Sequence, residues 1–398
     1  MKSSWKKLPL GDLSEIKGGK RLPKGKNLLS EKNSHPYIRV KDMHDGFVSK
    51  NDLLFVPDDV FPKISRYIIN KDDVFISIVG TIGLVGIIDA ELDGANLTEN
   101  AAKISIVSKE LLPKFLVYYL SSHEGQYQIN SLTVGTTQPK LALNRIEKIK
   151  VPVPPLIEQE KIVEILSSFD DKIELNRQIN QTLEAMARAI FKSWFVDFDP
   201  VYAKMEGRDY PLPPEIMDLF PDELEESELG LIPKGWTVDK LGERFEFAYG
   251  KSLPENKRIS GTYKVYGSNG EVGWHNEKLV DGPGIVIGRK GNPGIVTFVF
   301  DDFYPIDTTF YVKTDLPFLF SYYLLKNLKL KRLSADSAVP GLNRNIAYLE
   351  KFLFPPDGIQ KIYEGVIEPL YEKIKENNYQ SNTLINIKNI LIPRLLIK

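Results

Sequence analysis

The chain has no cysteine, only four histidines, and no run approaching the ~18 apolar residues of a membrane span. Without cysteine there is neither a disulfide framework nor a thiolate metal site, and the composition suits a reducing compartment. His35, His44, His123 and His275 are scattered, and no two share the spacing of a metal-binding helix, so no metal site is expected. The opening MKSSWKKLPLGDL has lysines but lacks the apolar core of a secretory signal, which makes the cytoplasm the expected location. With 42% hydrophobic and 26% charged residues the chain reads as globular, and 398 residues exceed one ordinary core. Two or more domains follow.

A net charge of −1 hides an uneven distribution. Residues 1–150 hold 22 Lys and Arg against 17 Asp and Glu, and residues 233–353 hold 17 against 13. Between them, residues 196–232 hold 2 against 11. Two mildly basic blocks thus flank a strongly acidic, proline-rich segment. Basic blocks suit a polyphosphate partner, although a solvated surface would carry the same excess.

The basic blocks repeat one another. A shift of 231 positions aligns Trp5–Pro23 with Trp236–Pro254 without gaps, at 8 identities in 19 positions, Gly19-Lys20 and Gly250-Lys251 among them. VFISIVGTIGLVG (74–86) parallels IVIGRKGNPGIV (285–296), LPKFLVYYL (112–120) parallels LPFLFSYYL (316–324), and PKLALN (139–144) parallels PGLNRN (340–345), all in the same order. Short β-rich runs such as DVFISIV, KISIV, GIVIG and IVTFVF, separated by turn residues, predict mixed structure with much strand. Each half then ends in a helical stretch. In the first, Ile162, Leu166, Phe169, Ile173, Leu183, Ala187, Ile190 and Trp194 follow heptad spacing, with Asn176 and Asn180 at two seam positions. About 40 residues at 1.5 Å each give a helix ~60 Å long. The second stretch repeats Lys172, Ile173, Asn176, Thr182 and Leu183 as Lys373, Ile374, Asn377, Thr383 and Leu384, and it carries Pro369, expected to kink or break it. The repeated asparagine suits register control between two helices packed on each other; two separate amphipathic helices would also satisfy the pattern. The predicted fold class is α+β, with two repeated mixed domains joined by two long antiparallel, coiled-coil-like helices. The boundaries fall at 1–152 (first domain), 153–195 (central helix), 196–232 (acidic linker with one short helix), 233–353 (second domain) and 354–398 (C-terminal helix).

Catalytic motifs fail on inspection. Gly250-Lys251-Ser252 ends like a phosphate loop, but the required earlier glycine is Phe245, and the repeat copy reads Gly19-Lys20-Arg21. Asp199-Pro200-Val201-Tyr202 departs from the Asp-Pro-Pro-Tyr of adenine methyltransferases and follows a helix rather than a strand. Glu15-Ile16-Lys17 has the outline of a nuclease motif, yet its copy, Glu246-Phe247-Ala248, loses the lysine. No cofactor, nucleotide or metal site is therefore expected.

FKSWFVDFDPVYAKMEG (191–207), LIPKGWTVDKLGE (231–243), PPLIEQ (154–159) and the repeated YYL segments resemble the specificity subunit of Type I restriction–modification enzymes along essentially the whole chain. The resemblance implies that each basic block is a target recognition domain and that the two helices pair as an antiparallel spacer. It implies double-stranded DNA as ligand, with two methyltransferase and two ATP-driven restriction subunits as partners. S-adenosylmethionine, ATP and magnesium would belong to those partners, and this subunit would hold no catalytic residue. A duplicated chain with diverged halves gives the geometry of a two-fold reader with an asymmetric site. Candidate DNA contacts are polar and basic residues of non-helical segments: Lys20, Arg21 and Lys24; Arg39 and Lys41; Thr81; Thr136, Thr137, Gln138 and Lys140; Lys251 and Ser252; Ser268 and Asn269; Arg289, Lys290 and Asn292. Two other readings stay open from the residues: a coiled-coil adaptor that binds no DNA, and a fused methyltransferase or nuclease.

Overall fold

The computed structural model describes residues 5–135, 139–334 and 341–396. The chain forms two compact units, one from Met1–Glu174 with Gln380–Lys398 and one from Leu175–Tyr379.

In the first unit the expected apolar runs become strands. Val74–Ser77 is buried along its length, because both of its faces are covered. It lies inside a four-stranded antiparallel sheet ordered Ser14–Gly18, Ala101–Ile106, Val74–Ser77, Val85–Ile87. A second sheet is ordered Leu54–Phe55, Pro36–Ile38, Ala95–Leu97, Ile68–Ile69, with its middle pair parallel. The helix Pro113–Ser121 carries the YYL segment and buries Phe115, Leu116 and Tyr119 in one core with Val74, Ile76 and Val85. Lys6–Pro9 pairs antiparallel with Lys150–Val153.

The second unit repeats this plan. Its four-stranded antiparallel sheet is ordered Glu246–Tyr249, Thr309–Lys313, Gly284–Gly288, Val296–Val299. Tyr263–Gly267 runs parallel to Phe303–Pro305, and Thr237–Lys240 pairs antiparallel with Lys351–Phe354. The helix Phe318–Asn327 carries the second YYL segment into the core. One difference is that the helix His123–Leu132 of the first unit has only the 3-10 turn Leu330–Leu333 in its place.

The acidic segment is more than a linker with one short helix. It forms the helices Asp199–Met205 and Pro214–Met217 and the hairpin Leu224–Ser227/Gly230–Pro233. Its apolar residues anchor it: Val201 and Phe220 are buried, and Phe220 meets Trp194 edge-on at 5.4 Å.

The central helix, Leu156–Phe195, and the C-terminal helix, Asp357–Leu396, are 40 residues each. Within the first unit, Ile162 and Leu166 share a core with Ile392 and Leu396, and Lys388 pairs with Asp170, which also accepts a 2.7 Å bond from Tyr118 Oη. Within the second unit, Ala187, Phe191 and Trp194 pack with Tyr363, Ile367 and Tyr371. In both units partner numbers fall as central-helix numbers rise, so the segments run antiparallel. The repeated asparagines meet. Asn176 Nδ2 donates to the Asn377 carbonyl at 3.3 Å, and Asn377 Nδ2 donates to Asn180 Oδ1 at 2.8 Å.

Pro369 corrects the expectation of a broken helix, since Asp357–Leu396 passes through it uninterrupted. Pro369 and Gly365 both face solvent, so water can satisfy the carbonyl that the missing N–H leaves free. The opposite face, with Tyr363, Ile367, Tyr371 and Ile374 buried, holds the helix to its core. Pro369→Ala restores the donor and should raise stability by about 1–2 kcal/mol in denaturant unfolding. An unchanged or lower midpoint would show that the proline costs the helix nothing.

Candidate nucleic-acid interface

The repeated Gly-Lys pair is a crossing between sheets. A Cβ on Gly19 would lie 2.2 Å from the carbonyl oxygens of Leu97 and Thr98; one on Gly250 would lie 2.2 Å from that of Ile306. Only glycine lets these backbones pass so closely. The next residue locks the crossing: the Lys20 N–H donates to Leu97 O at 2.8 Å, and the Lys251 N–H donates to Pro305 O at 3.1 Å. Tyr37 Oη donates to the Lys20 carbonyl at 2.9 Å. The backbone is held while both lysine side chains stay exposed.

A second crossing repeats as well. The Leu141 N–H donates to Ile78 O at 3.0 Å, and the Leu342 N–H donates to Arg289 O at 2.9 Å. Ile78 therefore corresponds to Arg289. The loops that follow turn on paired glycines with left-handed backbones, Gly80 and Gly83 in one copy and Gly291 and Gly294 in the other. They present Thr81 and Asn292 at matching positions, with Lys290 before them in the second unit.

The structure gathers Lys20, Arg21 and Lys140 around one cleft with Gly19, Val79, Glu99 and Asn100. Arg21 pairs with Glu99 at 3.0 Å but stays largely exposed. In the second unit Ser268 stands against the glycine loop, since a Cβ on Gly291 would come within 3.4 Å of Ser268 Oγ. That places Ser268 and exposed Asn269 beside Arg289, Lys290 and Asn292. Lys24, Lys41 and Ser252 are exposed; no contact with either group is described for them. Thr136, Thr137 and Gln138 lie outside the described residues.

Arg39 is engaged within its own loop. Its Nε and Nη2 grip Asp42 at 2.7 and 2.8 Å, and Nη2 also donates to the Asp52 carbonyl at 2.7 Å. Asp42 is buried, so this fork fixes the Arg39 guanidinium against its own loop.

Sequence reading missed two groups. Tyr249, half exposed, has Arg344 Cζ 4.8 Å and Arg289 Cζ 5.0 Å from its ring centre. Tyr67 has Arg66 Cζ at 5.0 Å and Lys20 Nζ at 5.8 Å. Neither Tyr67 nor Arg66 belongs to a repeated motif, and Arg344 stands where its copy has Leu143, so none of them recurs between the halves.

The segment FKSWFVDFDP closes the central helix. Trp194 and Phe195 are buried, Phe198 turns the chain with φ +56°, and Ser193 Oγ donates to Asp199 Oδ2 at 2.6 Å. Trp236 packs against Phe195 and Phe198. Its distinctiveness in sequence thus has a packing reason. No helix among the described residues is long and apolar enough to cross a membrane.

Comparison with known proteins gives the same duplicated pattern. A family model for the Type I restriction modification DNA specificity domain matches residues 2–185 and again 233–389. The chain is 26% identical to the Type I restriction enzyme HindI specificity subunit of Haemophilus influenzae, covering 99% of each chain. It is 24% identical to the MjaIX specificity subunit of Methanocaldococcus jannaschii, covering 98% of this chain and 92% of that one. In fold it is similar to the crystal structure of the Type I restriction–modification S subunit from M. genitalium, with a TM-score of 0.54 at 18% identity over 100% and 97% of the two chains. Matched once in each structural repeat, the chain belongs to the family of Type I restriction–modification specificity subunits.

Proposed function

We propose that this specificity subunit reads a bipartite, asymmetric DNA site in the cytoplasm, one half-site per recognition unit, and catalyses nothing itself. The carrying observation is one architecture built twice with different side chains at corresponding loop positions. Ile78 and Arg289 occupy one such position, and Thr81 and Asn292 another. Equal scaffolds place the loops alike, while unequal side chains suit different base pairs. An adaptor that bound no DNA would have little use for exposed cations at both glycine crossings.

The paired helices suit a scaffold for two methyltransferase and two restriction subunits, and in the two-fold logic of DNA readers they would set the gap between half-sites. S-adenosylmethionine, ATP and magnesium would be bound by those partners. The residues that resemble a phosphate loop support this division, because Gly250 is committed to a backbone crossing and Lys251 N–H to a carbonyl.

Replacing residues 1–152 with the corresponding domain of a relative should change one half of the sequence methylated in the host and leave the other half intact. Methylome sequencing reads both halves and the gap together; a change in both halves would mean that the units do not read independently. Incubated alone with DNA, S-adenosylmethionine, ATP and magnesium, the purified chain should transfer no methyl group and cut no strand. Either activity without partner subunits would end the non-catalytic reading.

A further inference from the structure

We propose that a tyrosine holding two unneutralised cations marks where each unit grips its half of the DNA: Tyr67 with Lys20 and Arg66 in the first, Tyr249 with Arg289 and Arg344 in the second. The inference rests on the proposed DNA-reading function and adds the residues that carry it.

The two clusters occupy the same place in the duplicated fold but are built from residues that do not correspond. In the first unit a cleft is lined by Gly18, Leu143, Arg66 and Tyr67. A Cβ on Gly18 would meet Leu143 Cδ1 at 3.7 Å, so these two positions are neighbours. By the repeat, Gly18 corresponds to Tyr249, each being the residue before the Gly-Lys crossing. Leu143 corresponds to Arg344, each opening the short helix that follows the second crossing. Tyr249 and Arg344 are likewise neighbours. The second unit therefore fills with its own sheet edge the place that the first unit fills with Tyr67 from a separate turn, Ser65–Tyr67. A shared framework would preserve corresponding residues; the same chemistry regained from different residues points to a common demand at this place.

Several other cations of these units are neutralised. Arg21, Arg39, Arg244 and Arg332 each pair with a carboxylate. Among the described residues, Lys20, Arg66, Arg289 and Arg344 have no such partner. Arg289 is instead held by the Asp307 carbonyl at 2.8 Å and Arg344 by the Phe247 carbonyl at 3.2 Å, while Arg66 Nη2 donates to Tyr67 Oη at 2.9 Å. The buried Arg344 Nε has no hydrogen-bond partner among the described residues. Carbonyls and a ring face fix a guanidinium without cancelling its charge, so its remaining donors wait, already ordered, for acceptors. On DNA those acceptors are two phosphate oxygens or the O6 and N7 of guanine.

The test uses the full chain and duplexes that carry its intact site, only the first half-site, or only the second. Arg66→Ala with Tyr67→Ala should weaken binding about tenfold wherever the first half-site is present and leave second-half binding unchanged. Arg344→Ala and Arg289→Ala should do the reverse. A loss equal for all sequences, with the salt slope reduced by about one per cation, assigns phosphate; a loss confined to one base pair assigns guanine. Should Arg344→Ala melt early, Tyr249→Phe and Arg344→Lys carry the test. Tyr249→Phe keeps the ring face and should bind as wild type, whereas Arg344→Lys lacks the fork and should bind more weakly. If the wild type prefers its site and the folded cation variants keep its affinity and salt slope, the clusters are surface features. A wild type with no preference for its site overturns the DNA-reading function itself.

Discussion

Two backbone crossings with no side chain between them fix the frame of the candidate interface. At Gly19 and Gly250 the chain leaving the first strand of the four-stranded sheet passes directly over a strand end of the neighbouring sheet. A methyl group there would have to occupy the space of carbonyl oxygens, and packed backbones do not yield that space cheaply. The following lysine donates its N–H across the crossing, so the position of its Cα is fixed by hydrogen bonding in both units. What varies between the units then lies in side chains, in loops beyond the crossing, and in the helix His123–Leu132, whose place the turn Leu330–Leu333 takes. A rigid frame with free side chains is how a fold changes what it binds without changing how it folds.

The helix pair shows a different compromise. Most of its seam is apolar, yet Asn176 and Asn377 are buried where a leucine would stabilise more. They are tolerated because their amides bond across the pair, to the Asn377 carbonyl and to Asn180. A buried amide satisfied in only one alignment penalises every shifted one. Pro369 is tolerated for the opposite reason. It sits on the solvent side, where the freed carbonyl meets water and the buried face continues without interruption.

The repeat, the strands and both helices were legible because each rests on a local pattern. The apolar runs of the sheets, the heptad spacing and the glycine loops all carry their own periodicity or punctuation. The acidic segment was underestimated because its few apolar anchors, Val201 and Phe220, are spaced irregularly and dominated in composition by carboxylates. The candidate interface was legible only in part. Lys20 and Lys140, and Ser268 and Arg289, emerge together because recurring loops bring them together. The pairing of Arg39 was not legible, because an arginine in sequence gives no sign of a buried aspartate three residues away. Tyr67 and Arg344 escaped because matching the halves finds what they share, and these residues are where the halves differ.

The division of the helices between units also has a cost in time. The first unit's core includes Ile162 and Leu166 on one helix and Ile392 and Leu396 on the other. During synthesis the first pair emerges more than two hundred residues before the second. At about 5–20 residues per second that delay is roughly 10–45 s. Throughout it the apolar stripe of the central helix at Ile162 and Leu166 lacks the helix that covers it. The second unit, continuous from Leu175 to Tyr379, waits less, since Ala187 and the Tyr363 that bonds to its carbonyl are 176 residues apart. The nascent chain thus completes its later half before its earlier one, and the N-terminal unit is the part with the longest exposure to aggregation and to chaperones.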